Sequence, residues 1–132
     1  MIIIDTAILM MELRVRIIGL MGVYHTVNPI ANDHVKIYKE NTREYTLMKT
    51  KHFGDALQME VGALMVGKIV NHDGAGSMRR GIEKGYFQFG GSTIILLLEK
   101  DKVEIREELL ERTKNQCETK IRQGEMIGKA LV

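Results

Sequence analysis

The sequence predicts a mostly β domain with a single late helix, and three observations predict it. Apolar and polar residues alternate over short stretches, as half-buried strands require. Turn and loop signals separate those stretches, as in Phe53-Gly54-Asp55 and the polar, glycine-rich run from Asn71 to Arg80. Only Glu107 to Arg122 keeps the three-to-four spacing of an amphipathic helix.

Element by element, Met1 to Leu20 reads as one or two buried strands, with Leu13, Val15 and Ile17 alternating against Arg14 and Arg16. Asp5, Glu12, Arg14 and Arg16 argue against a membrane span, which needs about 20 predominantly apolar residues. The segment also lacks the basic start and small-residue cleavage site of a signal peptide. Pro29 marks a turn after His25-Thr26-Val27, and Asn32 to His34 reads as loop. Thr42 to Thr50 is a strand with Tyr45 and Leu47 on one face, Glu44 and Thr46 on the other. Ala56 to Glu60 alternates again, Leu57 and Met59 against Gln58 and Glu60. Val61 to Val70 is an apolar run interrupted by Gly62 and Gly67, which in a strand suggest bulges or close backbone approach. Tyr86 to Phe89 and Thr93 to Leu98 are strands, and Glu99 to Lys102 turns the second into a hairpin with Val103 to Ile105. In the helix, Leu110, Thr113, Cys117 and Ile121 share a face, Glu107 and Glu108 suit its N-terminal end, and Gly124 ends it.

The bulk properties fit one domain spanning residues 1–132. A net charge of +2 is too slight to argue for nucleic acid. Arg79-Arg80 and the scattered lysines suit either a solvated face or anionic lipid headgroups. The lone Cys117 excludes an intramolecular disulfide, and His25, His34, His52 and His72 show no metal-ligand spacing, so no metal is expected.

Between the aromatic approach Gly85-Tyr86-Phe87-Gln88-Phe89 and the apolar run Ile94 to Leu98 lies Gly90-Gly91-Ser92-Thr93. Two glycines leave the Gly91 carbonyl unshielded and open to the Ser92 hydroxyl. A serine so held can undergo an N-to-O acyl shift that turns the peptide bond into an ester. β-Elimination then gives dehydroalanine, and its hydrolysis leaves a pyruvoyl group. Taken alone, Gly-Gly-Ser-Thr is also what an ordinary loop contains.

The surrounding text is more specific. Gly22 to Gly128 resembles the C-terminal part of phosphatidylserine decarboxylase, particularly the clostridial form. The resemblance runs through Gly22-Val23-Tyr24-His25-Thr26-Val27-Asn28-Pro29, Ile37 to Tyr45, and His52-Phe53-Gly54-Asp55. It continues in Val61 to Ile69, Lys84 to Thr93 and Gly124-Glu125-Met126-Ile127-Gly128. It implies a β-sandwich or flattened barrel like the lipoyl and biotinyl carriers (a barrel-sandwich hybrid), with the Gly91-Ser92 bond at a strand junction. It further implies self-cleavage there, with Gly91 giving the scissile carbonyl and Ser92 becoming the pyruvoyl cofactor and Schiff-base site. Residues 22–91 would then be the β-chain-like part and 92–132 the α-chain-like part, with 1–21 poorly matched. The implied reaction converts phosphatidylserine to phosphatidylethanolamine, peripherally, on the cytoplasmic side of the cell membrane, with no transmembrane segment.

The family's Asp-Tyr-His-Arg motif, whose His activates the serine, does not occur in this chain. A missing N-terminal polypeptide that supplies it is therefore an expected partner, and self-association another. Three alternatives stay open: an uncleaved lipid- or partner-binding module, half of a split enzyme, and a carrier domain presenting Lys68. Among other candidates, His25 reads as a hydrogen-bonded structural histidine or a substitute base, and His72 beside Asp73 as an acid–base pair or ordinary loop. Tyr86, Phe87 and Phe89 read as core or as a pocket lining, and Met48, Met59, Met65 and Met78 as core filler.

Overall fold

Strand alternation shapes the centre of the molecule. In the computed structural model, which describes residues 3–5, 16–23, 40–63, 68–72, 81–88 and 93–131, β3 (Arg43–Lys49) and β4 (Asp55–Val61) form an antiparallel hairpin. Thr50 closes it. Its hydroxyl donates to the Gly54 carbonyl and accepts from the Phe53 N–H, both at 2.8 Å. Gly54 sits at φ +70°, a conformation L side chains rarely adopt, with the Glu99 carboxylate against its α-carbon.

Two further strands extend the hairpin. β7 (Thr93–Leu98) pairs with β4, Ala56 opposite Leu98 and Val61 opposite Thr93, and β2 (Arg16–Leu20) pairs with β3. The resulting sheet has the order β2-β3-β4-β7. A second sheet joins β1 (Ile3–Asp5), β6 (Glu83–Phe87) and β5 (Ile69–Asn71) in the order β1-β6-β5. A third pairs β8 (Val103–Ile105) with β9 (Gly128–Ala130), and α1 (Glu107–Lys114) lies between these two in sequence. The chain is mostly β with one helix among the described residues, as predicted, and its sheets are open.

The faces of the central hairpin carry a surprise. Alternation is as read from the sequence, but the inward face is the polar one: Thr46, Gln58 and Glu60 are buried beside Met48 and Ala56. Phe53, Leu96 and Leu98 pack on the last two. Leu47 and Leu97 point the other way, 43% and 52% exposed, with Leu57 between them in register. The second sheet explains the inversion, because Lys84 of β6 and Asn71 of β5 reach across to the polar face. The fully buried Phe87 comes from the same strand as Lys84.

Several sequence expectations need correction. The Val61 to Val70 run is not one strand: β4 ends at Val61 and β5 begins at Ile69, in different sheets. The Glu99 to Lys102 turn forms, with Asp101 at φ 61°, yet β8 pairs with β9 instead of β7. Edge pairing decides this: the Leu131 N–H donates to the Lys102 carbonyl and the Arg106 N–H to the Ile127 carbonyl, both at 2.9 Å, so the C-terminal segment takes the partner's place. The helix stops at Lys114, not before Gly124. Gln116 at φ 56° turns the chain out while the Cys117 N–H caps the Arg112 carbonyl, so Cys117 and Ile121 are not helical. No residue of α1 is buried. The readings of Pro29, of Asn32 to His34, of Met65 and Met78, and of Phe89 fall outside the described residues.

Candidate active site

The Gly91-Ser92 bond itself lies outside the described residues, the nearest of which are Gln88 and Thr93. On one side the Gln88 N–H donates to the Lys68 carbonyl at 3.0 Å, just beyond β6. On the other, Thr93 opens β7 opposite Val61. Those strands belong to different sheets. The strand junction that the resemblance implies for Gly91-Ser92 falls outside the described residues.

Other segments converge on the Thr93 end of the sheet, where Leu20, Arg43, Val61 and Thr93 form one row. Past Leu20, Val23 bridges Asn41: its N–H donates to the Glu40 carbonyl at 3.0 Å, and its carbonyl accepts from the Thr42 N–H at 3.1 Å. The buried Asn41 amide donates to the Gly62 carbonyl at 2.8 Å, and the Gly62 N–H to the Thr42 carbonyl at 2.8 Å. Thus Gly22-Val23, Asn41-Thr42 and Val61-Gly62 are tied together beside Thr93. His25 follows Val23 by two residues and lies outside the described residues.

Just inside this end sits a buried polar network. The Lys84 ammonium donates to Glu60 Oε1 at 2.6 Å, the two side chains 2% and 0% exposed. Gln58 Nε2 donates to the same oxygen at 2.8 Å. Lys84 also donates to Asn71 Oδ1, and the Asn71 amide donates to Glu44, which stands directly opposite Glu60 in register. Glu60 Oε2 and the Thr46 hydroxyl are buried without a partner among the described residues. Burial pushes the Glu60 carboxyl above its ordinary value; the Lys84 charge and its hydrogen bonds oppose this, and the Glu44 charge adds to it.

Sequence reasoning missed this network. Glu60, Lys84, Asn71 and Glu44 come from four strands, and the usable signal was the strict alternation that puts Gln58 and Glu60 on one face. The other candidates disperse. His72 Nε2 meets Glu83 Oε1 at 2.6 Å, with both side chains substantially exposed, while Asp73 lies outside the described residues. The His72 ring leans on Tyr86. His52 and Lys68 are exposed, and Lys68 directly precedes β5. Phe87 and Met48 are core, as expected. Among the described residues no His, Cys, Asp or Glu group has the makings of a metal site, and no helix is long and apolar enough to cross a membrane.

A mostly β domain whose sequence carries Gly-Gly-Ser-Thr between β6 and β7, strands of different sheets, narrows the class. The family model for phosphatidylserine decarboxylase matches residues 10–129, and the chain belongs to that family. It is 51% identical over 107 residues to phosphatidylserine decarboxylase proenzyme 2 of Clostridium acetobutylicum, covering 81% of this chain and 36% of that protein. The proenzyme of Clostridium novyi is 46% identical over 116 residues, covering 86% and 39%, and that of Fusobacterium nucleatum is 45% identical over 111, covering 83% and 37%. The chain therefore spans a little over a third of the length of these relatives. No solved structure matches it.

Proposed function

We propose that this chain is the C-terminal core of a phosphatidylserine decarboxylase, that it cleaves itself between Gly91 and Ser92, and that Ser92 supplies the catalytic pyruvoyl group. The observation that carries the reading is the family match over residues 10–129, a range that contains Gly90-Gly91-Ser92-Thr93. The relatives' designation as proenzymes, precursors that need processing, supports it.

In the maturation step the Ser92 hydroxyl loses its proton and attacks the Gly91 carbonyl carbon. The Gly91–Ser92 amide then breaks, and its nitrogen takes up a proton. Loss of the Ser92 α-proton expels the Gly91 carboxylate and leaves dehydroalanine, and water releases ammonia from that. The ketone so formed supplies an electron sink for loss of carbon dioxide from an amino-acid headgroup. Residues 1–91 and 92–132 become the two chains of one domain, holding together through the β4–β7 pairing. The substrate is phosphatidylserine, the product phosphatidylethanolamine, and the site of action the cytoplasmic membrane surface.

The test is a decarboxylation assay on vesicles containing phosphatidylserine, with the chain alone and with the chain co-expressed beside a polypeptide bearing Asp-Tyr-His-Arg. Carbon dioxide and phosphatidylethanolamine should form, and Ser92→Ala should abolish both. Activity only on co-expression identifies half of a split enzyme. Activity in neither arm, or activity that survives Ser92→Ala, contradicts the reading.

A further inference from the structure

From the geometry we infer that Glu60 and Lys84 are positioning residues for self-cleavage, a buried clamp that fixes the two strands on either side of the Gly91-Ser92 bond in sequence; this rests on the function proposed above. Lys84 lies in β6, which precedes that bond, and Glu60 lies in β4 directly opposite Ile94 of β7, which follows it. The 2.6 Å contact between them spans the two sheets. Asn71 bonds Lys84 and reaches Glu44, adding a second tie between the same sheets.

Stability alone does not account for this arrangement. Sheets that merely need to pack are held as well or better by apolar side chains than by a buried ion pair, whose desolvation offsets its attraction. Here a carboxylate is buried with one oxygen unpartnered among the described residues, opposite a second carboxylate, which raises the cost further. What an ion pair adds over apolar contact is direction. Three donors and acceptors on Lys84, Glu60 and Asn71 fix the offset of β6 relative to β4, and so the span that residues 88–92 must bridge. Self-cleavage depends on that span, because misplacement by about 1 Å costs on the order of 100-fold in rate.

The experiment follows the cleavage of the full chain by intact mass, in the setting where wild type cleaves, alongside thermal unfolding. Glu60→Leu with Lys84→Met keeps an apolar contact between the sheets, and should unfold no earlier than wild type yet cleave at least about tenfold more slowly. Glu60→Gln keeps the acceptor for Lys84 and serves if the double variant does not fold. The groups facing Glu60 are Lys84 of β6 and Glu44 of β3, with Gln58 and Asn71 uncharged beside them. Wild type should therefore show a limb in its cleavage–pH curve that Glu60→Gln lacks. A double variant that cleaves at the wild-type rate, or failing that a Glu60→Gln variant whose cleavage–pH curve keeps the wild-type limb, overturns the clamp alone. Slowing that merely follows loss of thermal stability across the variants also overturns it. A wild-type chain that never cleaves, alone or co-expressed, overturns the proposed function as well.

Discussion

Glu60 is 0% exposed, and its surroundings set how it contributes to stability. Its folded pKa lies above the ordinary 4.5, because burial outweighs the help of Lys84. A raised carboxyl pKa favours the fold fully below the unfolded value and loses that contribution as pH rises through the folded one. Replacing the pair with leucine and methionine should thus flatten the stability profile above pH 4.5, read by urea unfolding at several pH values. Lys84→Met alone leaves Glu60 buried without its ion-pair partner and should cost about 3–5 kcal/mol, which the double variant recovers. Glu125 behaves in the opposite sense. The Arg122 N–H and then the Arg106 guanidinium hold its carboxyl below the usual range, so its contribution is present above 4.5 and fades as pH falls through the lowered value. Glu125→Gln should remove that acid-side loss. Gly85 is similarly exacting, since a Cβ there would run into the Val70 carbonyl of the paired strand.

At the scale of elements, the alternation of β3 and β4 was legible because period two survives any packing partner. Which face turned inward was not. Leu57 and Met59 look like a core stripe beside Gln58 and Glu60, and only Lys84, 24 residues away in sequence, reverses the choice. The helix was overextended for a related reason. The spacing of Leu110, Thr113, Cys117 and Ile121 continues past Lys114, but propensity carries no mark of the left-handed exit at Gln116. The two elements should differ in their weight. Phe87→Ala empties a fully buried site in β6 and should cost about 3–5 kcal/mol. Leu110→Ala, on a helix that buries nothing, should change stability by less than about 0.5 kcal/mol, both read by chemical unfolding.

Across the whole molecule, two sheets meet through polar side chains and one turns an apolar row, Leu47, Leu57 and Leu97, outward. Such a face in water favours self-association. Light scattering after size exclusion should show a mass that rises with concentration, and Leu47→Thr with Leu97→Thr should bring it down to the monomer. The family was legible in the sequence, because Gly-Gly-Ser-Thr and the blocks around it are written in adjacent residues. The joining of β6 and β7 to different sheets was not. The central claim is cleavage between Gly91 and Ser92, and the intact mass of the purified full-length chain tests it most directly. The account predicts two fragments, residues 1–91 and residues 92–132, the second lighter by one ammonia than a chain beginning with serine and blocked to N-terminal sequencing. A single unbroken chain with an unmodified Ser92, both alone and after co-expression with the Asp-Tyr-His-Arg polypeptide, would contradict it.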